Sequence, residues 1–113
     1  MADNIKLSFA DQAGAVWADA IWRISEIHFN DLKMNGYMKI YIFASQAALN
    51  NLKMPYITKL ELGTSEITQD GCTYGLKFTD VWGKSKAELR TLIKTKTLKI
   101  DGLEYDLSTG EDV

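Results

Sequence analysis

Two long runs of β-branched and aromatic residues, separated by a polar break, constrain the fold of this chain more than any other feature. The first run covers residues 21–29 and the second covers residues 37–44. Residues of these types fit the pleated, packed surface of a sheet. The Asn35-Gly36 step in the break is typical of a tight turn, because both residues tolerate positive φ. The sequence therefore predicts a hairpin of two long strands.

Both runs carry apolar side chains on their two sides. In the second run Met38, Ile40 and Ile42 alternate with Tyr41 and Phe43, so neither side is polar. A strand with aromatic residues on its outer side needs something to cover them. The first run alternates imperfectly, which is also consistent with a bulge that switches its register. The pattern is typical of a sandwich or of a subunit interface.

The remaining segments predict shorter elements around this hairpin. Strands are expected at residues 5–9, 56–62 and 72–78, the last with Tyr74, Leu76 and Phe78 inward, and residues 63–71 form a polar connection. One or two helical turns are expected at residues 45–53, with Ser45 as the N-cap. A second hairpin is expected from residues 98–100 and 103–107 around Asp101-Gly102, followed by an acidic tail at 108–113.

One longer helix is expected over residues 86–95. Ser85 and Glu88 match the capping box, and Leu89, Leu92 and Ile93 follow at helical spacing. The sequence thus predicts a mainly β fold, a small antiparallel β-sandwich or partly closed barrel with this one packed α-helix. At 113 residues, the chain is expected to form a single domain over 1–113.

Composition excludes several classes of protein. The chain is 46% hydrophobic and 25% charged, which is typical of a globular protein rather than a disordered one. Its net charge of -2 gives no general attraction to nucleic acid or to an anionic membrane. No run approaches the roughly 18 apolar residues of a membrane span. The first residues lack the basic start and apolar core of a signal peptide, so no export by the general secretory route is expected.

Few residues are candidates for chemistry. His28 is the only histidine, and its place within a predicted strand favours a packing role over catalysis. Cys72 is the only cysteine, so it has no disulfide or zinc partner and is expected to be a buried thiol. Glu104 and Asp106 share one side of the last strand, where a charged face discourages edge pairing. No phosphate-binding glycine loop is present. We therefore expect no catalytic, cofactor-binding or metal-binding residues.

The aromatic residues are the better candidates for function. Eight of them could stack sugars or bases: Trp17, Trp22, Tyr37, Tyr41, Phe43, Tyr56, Tyr74 and Trp82. They lack the interleaved basic residues of a nucleic-acid platform, so core or subunit contacts are favoured. The residues expected to make subunit contacts are Trp17, Trp22, Tyr41 and Phe43, together with the loop at residues 30–36 and its Asn35 and Gly36.

A family resemblance extends this interpretation. The segments that carry it are Trp22-Arg23-Ile24, Ile40-Tyr41-Ile42-Phe43-Ala44-Ser45, Gln46-Ala47-Ala48-Leu49 and Lys53-Met54-Pro55-Tyr56. They are similar to segments of small proteins encoded in the structural-gene cassettes of tailed bacteriophages and prophages. The match covers about residues 20–62, and the chain departs from the pattern in its later helix and terminal hairpin.

The resemblance implies a non-enzymatic virion component of the tail, neck or baseplate. Such a protein would be made in the cytoplasm of the bacterial host and would act by self-assembly or by contact with other virion proteins. Three alternatives remain open: a small ligand-binding or carbohydrate-binding module using the same aromatics, a phage-encoded inhibitor of a host protein, and a small enzyme using His28, Asp80 or the Glu104 and Asp106 pair.

Overall fold

The computed structural model describes residues 4–10, 14–65, 68–69, 72–73, 76–100 and 102–113. The strands are β1 (Ile5–Lys6), β2 (Phe9–Ala10), β3 (Val16–Trp17), β4 (Ile21–Asn30), β5 (Asn35–Phe43), β6 (Tyr56–Leu62), β7 (Thr68–Gln69), β8 (Cys72–Thr73), β9 (Thr97–Ile100), β10 (Leu103–Asp106) and β11 (Glu111–Asp112). The helices are α1 (Gln46–Asn50), α2 (Phe78–Val81) and α3 (Lys86–Ile93), and a 3-10 turn covers Leu107–Thr109.

The main sheet has five strands in the order β11-β1-β4-β5-β6, and every neighbouring pair in it is antiparallel. Three two-stranded ladders accompany it, formed by β2 with β3, β7 with β8, and β9 with β10. The prediction of a mainly β, antiparallel fold is therefore confirmed. The finer choice between a sandwich and a partly closed barrel stays a prediction.

The long hairpin is formed by β4 and β5, as the two apolar runs predict. Its register shifts between Ile24 and Glu26, so Ser25 forms a bulge. The turn precedes the Asn35-Gly36 step instead of containing it. Residues 31–34 form the turn, and Asn35 and Gly36 already belong to β5. Gly36 is required by close packing instead, since a Cβ atom there would lie 2.0 Å from the main-chain oxygen of His28.

One face of the main sheet is buried and is called the inner face here. Met38, Ile40 and Ile42 of β5 lie on it and are fully buried. They share a core with side chains of β1, β2, β4, β6, the segment that leads into and through α2, α3, the β9–β10 hairpin and the 3-10 turn: Ile5, Phe9, Trp22, Ile24, Leu60, Leu62, Leu76, Val81, Leu89, Ile93, Leu98, Ile100, Tyr105 and Leu107. The opposite face, called the outer face, carries Tyr37, Lys39 and Tyr41 of β5.

Helix α3 confirms the predicted capping box. The Glu88 amide donates to Ser85 Oγ over 3.2 Å, and the Ser85 amide donates to Glu88 Oε1 over 3.0 Å. This hydrogen bond from the Ser85 backbone lowers the pKa of the Glu88 carboxyl. The helix ends at Ile93, with Lys94 as its C-cap, slightly before the expected end at residue 95. The Ser45 cap of α1 is confirmed as well, with Ala48 as its donor.

Two predicted strands are wrong in part. Residues 5–9 form two short strands instead of one, since β1 pairs with β4 and β11 whereas β2 pairs with β3. In the segment 72–78, the strand covers Cys72–Thr73 and Phe78 begins helix α2. That helix forms because the Asp80 carboxylate accepts from the Lys77 amide over 3.0 Å and so caps its first turn. The inward placement predicted for Tyr74 lies outside the described residues.

The C-terminal segment is a strand rather than a solvated tail. β11 pairs with β1, and the main chains of Asn4 and Val113 exchange two hydrogen bonds of 3.0 Å. Asp112 also accepts from Lys94 Nζ at 2.8 Å and Arg90 at 2.6 Å. The hydrogen bond from Lys94, followed by the bond and charge of Arg90, lowers the pKa of the Asp112 carboxyl. These two ion pairs hold the C-terminal segment against α3 and its C-cap residue.

Candidate interaction surface

Two of the six residues predicted to make subunit contacts are core residues. Trp22 is 1% exposed and Phe43 is 6% exposed. The indole N–H of Trp22 donates to the Leu7 carbonyl over 2.8 Å, and its ring packs against Phe9 and Tyr105. A ring held in this way cannot be offered to a partner. The predicted contact role of Trp22 and Phe43 is therefore corrected to packing within the chain itself.

The other four predicted residues are more accessible but do not converge. Trp17 is half-buried on β3, with its ring 5.7 Å from that of Phe9. Tyr41 is half-buried on the outer face, where its hydroxyl donates to Glu26. That bond, with smaller effects of burial and of the Glu26 charge, raises the pKa of Tyr41. Asn35 and Gly36 lie at the opposite end of β5 from Tyr41. Asn35 is exposed and Gly36 is half-buried.

A network of charged and aromatic side chains covers the outer face. The ring of His28 stacks on that of Tyr37 at a centroid distance of 5.2 Å. Lys59 Nζ lies 4.9 Å from the centre of the same Tyr37 ring. Nearer the bulge, Lys39 pairs with Glu26 at 3.7 Å. These contacts hold the aromatic residues against their neighbours, so the outer face is closer to a hydrated charged surface than to an apolar docking face.

Part of the far side of β4 has no strand partner among the described residues. β1 pairs with β4 only at Ile21 and Trp22. From Arg23 to Asn30, no strand among the described residues pairs with β4 on that side, and we call this stretch the open edge. Four consecutive residues of the open edge are exposed, and they belong to both faces of the sheet: Ser25, Glu26, Ile27 and His28. Main-chain donors and acceptors therefore stand beside accessible side chains.

Apolar surface adjoins the open edge on the inner face. Ile27 lies opposite the buried Met38, yet it is 40% exposed. Phe29 contacts Phe78 and Trp82 edge-on, each at 5.3 Å, and Phe78 stacks on Trp82 at 5.2 Å. Trp82 itself is 51% exposed. Trp82 is one of the eight aromatic residues for which core or subunit contacts are expected, but the sequence singles out neither it nor Ile27, because their exposure depends on which segments pack beside β4 and α2.

Two loops also present large apolar side chains to solvent. Leu32 in the β4–β5 turn is 93% exposed, and Met54 in the segment after α1 is 89% exposed. Leu52, two residues before Met54, is 84% exposed and has φ +52°, a backbone conformation unusual for a leucine. The two loops lie at opposite ends of β5. They add accessible apolar surface at both ends of the sheet.

The candidates for chemistry lie apart on different elements. His28 stacks on the outer face, and Asp80 caps α2. Asp106 on β10 caps the 3-10 turn by accepting from the Ser108 amide at 3.1 Å and hydroxyl at 2.6 Å, and Glu104 on the same strand is exposed. The side chain of Cys72 lies outside the described part of the structure. Among the residues that the structure describes, no group of His, Cys, Asp and Glu side chains could hold a metal ion.

Comparison with known proteins gives no relatives: no protein-family model, curated protein or solved structure matches the chain. The resemblance of residues 20–62 to phage structural proteins therefore stays a prediction. Within the described ranges, no helix is both long and apolar enough to cross a membrane.

Proposed function

We propose that this chain is a non-enzymatic structural protein of a phage particle or a related tail-like assembly. It would act as a tail, neck or baseplate component, through contact with copies of itself or with other virion proteins. The observation that carries the proposal is the open edge of β4 with its adjoining apolar surface. The resemblance of the central segment to structural-cassette proteins supplies the biological setting.

A strand edge with unpaired donors and acceptors is a template for another strand, and monomeric proteins usually blunt such edges with charges or bulges. The open edge has one bulge, at Ser25, and two charged side chains, the half-buried Arg23 and the exposed Glu26. Glu26 is held over the outer face by its hydrogen bond with Tyr41 and its ion pair with Lys39, so its charge does not protect the strand edge. The edge is therefore suited to addition of a strand.

The apolar side chains support the same conclusion. Ile27 and Trp82 border the open edge, and both are exposed although they are large and apolar. Scattered exposed apolar residues are ordinary, but apolar side chains beside an available ladder give a partner strand both hydrogen bonds and buried area. Leu32 and Met54 provide further contact points at the two ends of the sheet. A subunit that touches several neighbours needs such separate surfaces.

The geometry of the aromatic rings gives little support to a sugar-binding module. Such a module would hold a ligand against a free ring face or between separated rings. The two nearly parallel ring pairs, His28 with Tyr37 and Phe78 with Trp82, stack directly on each other at 5.2 Å. Lys59 approaches the Tyr37 ring as well. We therefore favour no second function.

Two measurements test the proposal together. Light scattering after size exclusion, over a concentration series, should show a closed oligomer or a mass that grows with concentration. Mass spectrometry of tailed particles purified from cells that encode the chain should detect it in stoichiometric amounts. A mass near 12.7 kDa at every concentration, with no signal in particles, would refute the proposal. Tight one-to-one binding to a host protein would instead support the inhibitor alternative.

A further inference from the structure

We propose that the strand β11 is exchanged between copies of this chain, so that β11 of one copy pairs with β1 of another and its Asp112 binds Arg90 and Lys94 there. Residues 110–113 are called the C-terminal arm here. Exchange of the arm joins two copies and keeps the contacts that the arm makes within one chain. This inference rests on the proposed function, because it names one way in which copies of the chain make contact.

β1 offers the arm a short main-chain ladder. Ile5 lies opposite Asp112 and Lys6 lies opposite Glu111, in antiparallel register. Val113 adds two hydrogen bonds of 3.0 Å with the main chain of the residue before Ile5. Such a ladder depends on an extended main chain and not on which molecule supplies it. The same pairing is therefore available to the arm of a second copy.

Charge complementarity determines which segment fits this ladder. Asp112 lies 2.6 Å from Arg90 and 2.8 Å from Lys94, and Glu111 lies 3.7 Å from Lys6. Successive residues of a strand point to opposite faces of the sheet, so the arm is bound by charge on both faces. The site thus takes an extended segment with two consecutive carboxylates. A second copy supplies that segment with the right spacing, and we therefore name it as the occupant.

The arm is attached to its own chain by polar contacts. Glu111 and Asp112 are exposed, Val113 is half-buried, and the last side chain of the core before the arm is that of Leu107. Solvent-exposed ion pairs contribute little to stability and are screened by salt. Neither residue of β11 adds a side chain to the core. Release of the arm therefore costs less free energy than opening of the core.

Two buried polar atoms beside the arm favour its release. Among the side chains that the structure describes, Asn4 Oδ1 and Arg90 Nε are buried without a hydrogen-bond partner. Asn4 bonds to Val113 through its main chain, and Arg90 pairs with Asp112. A buried polar group without a hydrogen bond is destabilising. Water that enters when the arm leaves can hydrate both atoms, which lowers the barrier to exchange.

The segment before the arm can act as the hinge. The 3-10 turn Leu107–Thr109 leads into the arm, and its first residue is fully buried in the core whereas Ser108 and Thr109 are exposed. If Ser108, Thr109 and Gly110 become extended, they span about 10 Å, which carries β11 away from its own β1. Short hinges that open in this way permit domain swapping.

Mixed disulfides provide the test, because Lys6 and Glu111 are directly opposed. Opposed residues in an antiparallel pair have Cα atoms about 4.5–5.5 Å apart, within the range of a disulfide. When Lys6→Cys chains are mixed with Glu111→Cys chains, a disulfide between positions 6 and 111 forms only between copies. Lys53→Cys mixed with Glu111→Cys is the matched control, because it places the same thiol at an exposed lysine in the loop after α1. Cys72 is retained throughout.

Under mild oxidation, the first mixture should form its mixed disulfide at least about tenfold faster than the control, because exchange holds its thiols together. Peptide mapping identifies the linked positions. Asp112→Asn in both chains should raise this rate about fivefold, since it weakens the attachment of the arm by about the contribution of an exposed ion pair. Equal rates for the two mixtures would overturn the inference, and so would an Asp112→Asn mixture that reacts no faster.

A single chain with both Lys6→Cys and Glu111→Cys gives a second test. Oxidation at high dilution links the arm to its own β1. Light scattering should then give a lower mass than for the wild type at the same concentration, and reduction should restore the mass. Far-UV circular dichroism of each variant checks that the fold is retained.

The outcomes separate arm exchange from the proposed function. A linked chain that assembles like the wild type overturns arm exchange and leaves the structural role standing. Chains that form the mixed disulfide but are absent from purified particles support arm exchange and remove the virion role.

Discussion

Replacing Trp22 with phenylalanine distinguishes a core residue from a contact residue. The change removes the indole N–H that donates to the Leu7 carbonyl over 2.8 Å, which costs about 0.5–1.5 kcal/mol. It also leaves a small cavity among Phe9, Tyr105 and their neighbours, which costs about 1–2 kcal/mol more by comparison with other large-to-small core changes. We therefore expect Trp22→Phe to lower the free energy of unfolding by about 2–3 kcal/mol in total.

Trp82→Phe is the matched control, since the same chemical change is made at a ring that is 51% exposed. A phenylalanine at position 82 keeps a ring beside Phe78, so we expect a loss below about 1 kcal/mol. Urea unfolding followed by far-UV circular dichroism measures both variants without relying on tryptophan emission. The reasoning fails if Trp22→Phe lies within about 0.5 kcal/mol of the wild type, or if it costs no more than Trp82→Phe.

Two further predictions concern the hairpin and the C-terminal strand. Gly36→Ala should cost about 2 kcal/mol or more in urea unfolding, because its Cβ meets main chain at 2.0 Å, whereas Gly83→Ala, with no atom within 4 Å but φ +78°, should cost about 1 kcal/mol. Equal losses would contradict this. Asp112→Asn should be less stable than the wild type at pH 7, because Lys94 and Arg90 lower the pKa of the Asp112 carboxyl. That difference should shrink as the pH falls below about 4 through the lowered pKa, and a pH-independent difference would refute it.

The sequence predicts the long hairpin because its signal is local. Alternating β-branched and aromatic residues define β4 and β5 almost to their ends, and the Ser85 and Glu88 pair marks the start of α3. The position of the turn is different, because the Asn35-Gly36 step has two possible physical causes. The dipeptide suits a turn with positive φ, but here Gly36 is needed for close approach to the His28 main chain. Sequence alone does not separate these causes.

The errors have two causes: an element too short to show a period, and contacts that are long-range. Helix α2 has four residues, too few for a helical period to show, and Phe78 continues the alternation set by Leu76. β11 consists of Glu111 and Asp112, which have low strand propensity, and it forms because β1 offers an edge and α3 offers two cations. Its strand partner β1 is about a hundred residues away along the chain, and the nearer of its two cations, Lys94, is 18 residues from Asp112. No local pattern carries that information.

The sequence predicts that the long hairpin has apolar surface in need of cover, but it does not predict which residues stay exposed. Apolar residues on both sides of a strand indicate that each side is covered, but they do not tell whether the cover belongs to the same chain. Trp22 and Phe43 are covered by the chain itself. Ile27, in the same strand as Trp22, is not. The difference between them depends on the order and the lengths of the neighbouring strands.

The direction of β1 determines which part of β4 has a described partner strand. β1 is antiparallel to β4, with Ile5 opposite Trp22 and Lys6 opposite Ile21, and the Leu7 amide bonds to the Ala20 carbonyl next to them. The Lys6 end of β1 therefore leads away from the open edge and on to β2, whose Phe9 packs against the Trp22 ring. This pairing closes the core over Trp22. Farther along β4 no described strand pairs with it on that side, and there Ile27 is 40% exposed.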